Sequence, residues 1–197
     1  MALDPTVVRG LTRPITTSLW LRIMKRRHAG NPLGTGPGSS RFASRASPYT
    51  ILYGGKSLRA AIAEAILRDR FSDDARAPRE LDISEVQDYS ITEISTKDVL
   101  NVLDLRNEGA FRLGVKTDAV GARNHRAGQA FAEMLHGEFP SIDGILYASR
   151  MTGCDCVAVF DRAIAAKLQA TPAVELERVA ALRTALADLS VTLVSSP

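Results

Sequence analysis

The chain has 197 residues, 45% of them hydrophobic and 24% charged, enough apolar material for one domain with a real core. Its net charge of +3 and pI near 9.1 suit an anionic partner, but Lys25-Arg26-Arg27 is the one compact basic cluster and no aromatic-interleaved basic stripe accompanies it, which argues against direct nucleic-acid binding. Arg9, Arg13, Arg22, Lys25, Arg26 and Arg27 interrupt every early apolar run, so neither a secretory signal nor a membrane span is read, and a soluble, cytoplasmic protein is expected.

Residues 1–17 are polar, contain Pro5 and Pro14, and read as a loosely tied N-terminal arm. Residues 18–197 read as a single domain with a C-terminal helix. A first strand is expected over 19–24, where Arg22 breaks an apolar run. Residues 28–48 hold too much Gly, Ser and Pro for regular structure, and loops of that length in a compact domain are commonly functional. A short strand is expected over 49–53.

Ser57 is a suitable N-cap for a helix over 58–70. Its apolar stripe runs Leu58, Ala61, Ile62, Ala65 and Ile66, a 3.6-residue period. A charged connection is expected over 69–80, then strands over 89–94 and 99–103. A second helix is expected over 123–136, with Ala127, Ala130, Phe131, Met134 and Leu135 on one face. Buried strands are expected over 144–148 and 156–160, joined by a turn from Ser149 to Gly153. A final amphipathic helix over 173–187 and an edge strand at Val191–Val194 complete the chain. Alternating strands and helices give an α/β or α+β class.

Several residues could carry chemistry. Arg22, inside an apolar strand, needs a partner: either a local carboxylate at a sheet edge or a phosphate or ribose held by its guanidinium fork. Arg41 and Arg45 lie in the Gly/Ser-rich loop, which has neither a GxxxxGK[ST] nor a GxGxxG arrangement. Tyr53, just before Gly54-Gly55, is either a core aromatic or the wall of a cleft. Glu64 stands on an Ala-rich helix, where an isolated carboxylate is costly unless paired or used. Ser149-Arg150 directly follows an apolar strand, where loop residues often reach a ligand. Cys154 and Cys156 share a strand face and read as reduced core cysteines. With three scattered histidines, His28, His125 and His136, no metal site is expected.

Taken in order, these residues resemble the RES domain, named for its arginine, glutamate and serine. The resemblance runs from Trp20 to about Asp161. It rests on Arg22, Ser40-Arg41-Phe42, Leu52-Tyr53, the AxxE helix bearing Glu64, and Gly144-Ile-Leu-Tyr147-Ala-Ser149-Arg150. It implies an α+β domain whose mixed β-sheet core is similar to that of ADP-ribosyltransferases and is flanked by helices. It also implies a bacterial type II toxin that cleaves the nicotinamide–ribose bond of NAD, with NAD as substrate and no metal. ADP-ribose would then pass to a cytoplasmic protein target, or NAD would be depleted by hydrolysis or phosphorolysis. An Xre-type antitoxin protein is the implied partner.

On this resemblance Glu64 would stabilise the ribosyl cation, and Arg22 and Arg41 would hold the pyrophosphate and adenosine side. Tyr53 would stack on nicotinamide, and Ser149 would bond its amide or the ribose. Many NAD-destroying members carry GGRW where this chain has Ser39-Ser40-Arg41-Phe42, a departure that tilts the expectation toward transfer. Arg45 competes with Arg41 for the loop position. A non-catalytic nucleotide- or nucleic-acid-binding module is the reading from another class; it would use the arginines but not Glu64.

Overall fold

A computed structural model describes residues 3–16, 18–45, 48–71, 78–115 and 125–195. Parts of the expected 1–17 arm, 28–48 loop, 69–80 connection and 123–136 helix lie outside those residues. Strands are numbered in chain order: β1 Thr12–Ile15, β2 Leu19–Lys25, β3 Ile51–Gly55, β4 Arg79–Asp82, β5 Tyr89–Thr96, β6 Leu100–Asp104, β7 Gly144–Ala148, β8 Asp155–Phe160, β9 Leu168–Ala170, β10 Val174–Glu175 and β11 Val191–Val194.

One mixed sheet runs β1-β6-β7-β8-β3-β2-β5-β10, with β9 also on β5. The β6–β7 pair is parallel and its other pairings are antiparallel. The apolar runs expected as strands sit in its middle, and both of their faces are covered. On one face Phe131 and Leu135 of the Arg126–Glu138 helix pack with Phe42, Ile145 and Phe160. On the other, Ile164 of the Asp161–Lys167 helix joins Trp20, Leu52 and Val102. A further core joins Ile23, Ile62, Leu67 and Ile91 to Leu81, Leu176 and Leu186.

Two expectations need correction. Residues 5–15 are not loosely tied: Pro5–Leu11 is a helix, and β1 pairs antiparallel with β6. Asp4 caps that helix by accepting from Thr6 N at 2.7 Å, Pro5 occupies its first turn, and Val8 and Leu11 are buried. The second concerns residues 173–187, which do not form one helix. Val174–Glu175 pairs with β5, Leu176–Arg178 makes a 3-10 turn, and only Leu182–Ala187 is α-helical. The exposed edge of β5 takes Val174 and Glu175 as an added strand, while Leu176, Leu182 and Leu186 still reach the core. Tertiary pairing has overridden local propensity.

The charged connection expected over 69–80 ends in β4, which pairs in parallel with β11 as a separate two-stranded sheet. A capping box of Asp82 and Glu85 then starts the Ile83–Gln87 helix. Cys156 is buried and Cys154 partly so, both as free thiols. His136 stacks on Tyr49 with ring centroids 4.3 Å apart, His125 Nδ1 lies 2.9 Å from Ser39 O, and His28 is exposed.

Strands β2 and β3 are registered at a single Cα pair, Leu21↔Gly55. Close packing at Gly54-Gly55 makes this junction. A Cβ on Gly54 would lie 2.9 Å from Trp20 Cβ, and one on Gly55 would lie 2.7 Å from Ala61 N. Gly55→Ala should therefore push the following helix off the sheet and cost about 1–3 kcal/mol. Thermal unfolding tests this: a lowered Tm is expected, whereas an unchanged Tm would mean that the junction yields freely.

Candidate active site

Where β2 and β3 part, a cavity of about 310 Å³ opens between the sheet and the helical segment that follows Gly55. Leu21, Tyr53, Glu64, Arg68, Tyr147 and Cys156 are among its walls. That volume is at the lower end of small-molecule sites.

The helical segment begins as expected, with Ser57 Oγ accepting from Ala60 N at 3.1 Å. Leu58–Ile62 is α-helical, Ala63–Leu67 takes a π-turn, and Arg68–Arg70 resumes the α form. Ala60, Ala61, Ile62 and Ala63 are buried, so small side chains let the helix lie close on the sheet. The π-turn is where Glu64 faces the cavity, and such insertions are frequent at functional positions. The Glu64 side chain is 12% exposed. Its Oε1 accepts from Ser149 Oγ at 2.8 Å, and its Oε2 lies 3.6 Å from Arg68 Nη1.

Ser149 is itself fixed. Its N–H donates to Cys154 O and its carbonyl accepts from Gly153 N, both at 2.8 Å. Gly153 takes φ +67°, a conformation that suits glycine in this tight turn. A serine two residues beyond Tyr147 on an apolar strand thus aligns the carboxylate across the cavity.

The loop arginine is fixed from two sides. Tyr53 Oη accepts from Ser40 Oγ at 2.9 Å and from Phe42 N at 3.0 Å, bracketing Arg41. From the Arg126–Glu138 helix, Gln129 Nε2 donates to the carbonyls of Ser39 and Ser40, each at 3.2 Å. Tyr49 Oη donates to Phe42 O at 2.8 Å. Arg41 is 4% exposed. Burial draws its guanidinium below the ordinary arginine value, and the nearby Glu64 charge opposes that shift. Arg45 goes elsewhere: its side chain is at the surface, while its N–H donates to Glu133 Oε1 at 2.5 Å.

The neighbouring titratable groups are held neutral. Burial, reinforced by the Glu64 charge, raises the Tyr147 hydroxyl well above the phenol range and pushes the Cys156 thiol up to about 12. Cys156 is therefore no thiolate nucleophile at neutral pH. Burial also raises Tyr53. The cavity thus sets one carboxylate, Glu64, among three phenols, Tyr53, Tyr89 and Tyr147, with Arg68 and Lys25 as its cations and the buried Arg41 close enough to feel the Glu64 charge, an arrangement suited to a cationic ring next to an anionic tail.

Of the residues expected at a site, Glu64, Ser149, Tyr53 and Arg41 come together. Arg22 does not join them. Leu21 and Ile23 line the cavity, and alternation turns Arg22 to the other face of β2. There its Nη2 donates to Gly34 O at 2.7 Å while Nη1 is buried with no hydrogen-bond partner among the described residues. Burial draws this guanidinium down to about 10. Arg68 and Tyr147 were not singled out as site residues. The i,i+4 spacing from Glu64 and the i,i+2 spacing to Ser149 were the signals that could have found them.

Because its hydroxyl holds the Ser40–Phe42 backbone, Tyr53→Phe should loosen the Arg41 loop while keeping the ring. Amide exchange at Phe42 should accelerate by about fivefold or more, the equivalent of one ordinary hydrogen bond. Unchanged Phe42 exchange would assign the loop's order to the Gln129 and Tyr49 contacts alone.

Comparison with known proteins agrees with this architecture. The RES domain family model matches residues 18–180. The probable toxin y4kH of Sinorhizobium fredii is 38% identical over 84 residues, which is 42% of this chain and 65% of that protein. The chain thus spans just under two thirds of that curated relative. A chain in the crystal structure of the M. tuberculosis MbcT–MbcA toxin–antitoxin complex superposes with a TM-score of 0.62 at 20% identity, covering 88% of this chain and 93% of its own. That likeness shows a shared fold, a single domain built on a curled mixed sheet. With 163 consecutive residues matched by the family model, the chain belongs to the RES domain family.

Proposed function

We propose that this chain is the toxin of a toxin–antitoxin pair and that it acts by cleaving the nicotinamide–ribose bond of NAD, passing ADP-ribose to a protein. The observation that carries the reading is Glu64, a carboxylate that accepts from Ser149 in a cavity whose walls include the Tyr53 and Tyr147 rings. The likeness to a probable toxin and to a chain of a toxin–antitoxin complex supports the toxin role. An antitoxin of the Xre-associated kind is the corresponding partner, and a cytoplasmic protein the acceptor. Among the described residues no helix is long and apolar enough to cross a membrane.

In this mechanism the C1′–N bond breaks and its electron pair stays on the ring nitrogen, turning the pyridinium into neutral nicotinamide. The ribosyl unit gains oxocarbenium character, and the Glu64 carboxylate stabilises that charge from within hydrogen-bond reach of the ribose. Ser149 donates to Glu64 Oε1 and so leaves the other oxygen, shared with Arg68, to face the sugar. The rings of Tyr53 and Tyr147 confine the nicotinamide and exclude water. Arg41, preset by its clamped loop, answers the phosphate charge. The acceptor nucleophile then bonds to C1′ and releases its proton to solvent.

The Ser39-Ser40-Arg41-Phe42 loop, unlike the GGRW of many NAD-destroying relatives, favours a protein acceptor over water or phosphate. Nicotinamide release from NAD by the purified, antitoxin-free protein tests the reading in plain buffer, with phosphate, and with cell lysate. Release that needs lysate, with label left on a protein band, is the expected result. Fast release in buffer or with phosphate would replace transfer with NAD depletion. Glu64→Gln should lower kcat about 100- to 1,000-fold with little change in KM. An unimpaired Glu64→Gln protein would remove Glu64 from the chemistry.

A further inference from the structure

Besides covering the sheet, the Arg126–Glu138 helix holds the Arg41 loop along one row of side chains. His125, Gln129 and Glu133 follow at four-residue intervals, a spacing that brings side chains to one helix face. His125 Nδ1 lies 2.9 Å from Ser39 O, and Gln129 Nε2 donates to Ser39 O and Ser40 O, each at 3.2 Å. Glu133 Oε1 accepts from Ser44 Oγ at 3.1 Å and from Arg45 N at 2.5 Å. The loop is thus gripped on both sides of Arg41, through two carbonyls before it and two donors after it. Between the grips Ala43 N closes a turn on Ser40 O at 3.1 Å.

The packing leaves Arg41 little freedom of its own. Arg41, Phe42 and Ser44 are all buried, and Phe42 meets the Tyr147 ring edge-on with centroids 5.3 Å apart. In so dense an interior a long side chain goes where its backbone goes. Glu133 is not one of the described residues that line the cavity, yet one of its oxygens takes two donors from the loop. Hydrogen bonds to an ionised acceptor are roughly twice as strong as neutral ones.

We propose that Glu133 is a positioning residue: by fixing Ser44 and Arg45 it sets where the Arg41 guanidinium stands, while Gln129 holds the other arm of the loop. This rests on the reading of Arg41 as the group that answers the phosphate charge of NAD. The effect falls on binding and not on bond breaking, because Glu64 and Ser149 belong to other elements.

Calorimetric titration with NAD tests this in the full-length Glu64→Gln protein, where turnover does not interfere. Adding Glu133→Ala should weaken NAD binding about tenfold, the loss expected from two hydrogen bonds to a charged group. Adding Glu133→Gln, whose amide oxygen can accept from the same two donors, should stay within about threefold of the parent. Equal losses with the two variants would assign the effect to charge and overturn the proposal, as would no loss with Glu133→Ala. Ser44→Ala removes one of the donors with a smaller change and should weaken NAD about threefold. If Glu133→Ala does not fold, unaltered NAD binding by Ser44→Ala would overturn the proposal by itself.

A double-mutant cycle separates positioning from a general loss of structure. In an Arg41→Ala background, Glu133→Ala should cost less than about twofold more, since the group it acts through is gone. An equal loss with and without Arg41 would overturn the proposal. In turnover with Glu64 intact, Glu133→Ala should raise KM for NAD about tenfold and leave kcat within about twofold; a loss confined to kcat would also overturn it. NAD binding that depends on Arg41 but not on Glu133 would remove the positioning role alone. Binding that depends on neither would remove the phosphate role of Arg41 together with it. A protein that binds NAD through Arg41 and Glu133 but releases no nicotinamide would keep the positioning role and sink only the cleavage reading.

Discussion

Everything at the site depends on the sheet parting where β2 meets β3. The two strands share a single registered Cα pair, Leu21↔Gly55. The absence of side chains at Gly54 and Gly55 lets Trp20 and the Ala60–Ala61 backbone close on that point. A continuous ladder would bury these strands against each other and leave no room for a ligand. With the ladder interrupted, the helix that follows is laid across the gap, and Ser57 fixes where it starts.

That geometry explains why a carboxylate is tolerated in so apolar a place. The Glu64 side chain is nearly buried, which is costly for an unpaired charge, but its two oxygens have different partners. Ser149 donates to one from across the cavity and Arg68 approaches the other along the helix. The π-turn over Ala63–Leu67 sets the direction in which the side chain leaves the helix. Arg41 balances the local charge from a loop held by Tyr53, Tyr49 and Gln129. Charge on one side and backbone restraint on the other keep the cavity preorganised, the condition for electrostatic stabilisation of a transition state.

Much of this was legible in the sequence because it is local. Apolar runs marked β2, β7 and β8, the serine cap and apolar stripe marked the helix bearing Glu64, and small residues around Glu64 marked it as unusual. The strand expected over 49–53 begins two residues later, at Ile51, and continues through Gly55. What the sequence did not show depends on which neighbour a segment meets. Residues 174–175 have helical surroundings in sequence but an open β5 edge in space. The Asp4-Pro5 pair is a helix start, but a helix of only seven residues between two prolines has too short an apolar pattern to be distinguished locally from an irregular arm. The face of β2 that Arg22 occupies is set by how its neighbours Leu21 and Ile23 meet the cavity, and a charged residue in an apolar run does not announce which side it takes.

In the proposed reaction the Glu64 carboxylate, held by Ser149, faces the nicotinamide–ribose bond. A crystal structure of the Glu64→Gln protein with NAD bound tests it without relying on turnover. The expected result is nicotinamide between Tyr53 and Tyr147, with its ribose within hydrogen-bond distance of the residue 64 side chain. NAD bound with that ribose remote from residue 64, or on the Arg22 face of β2, would contradict it.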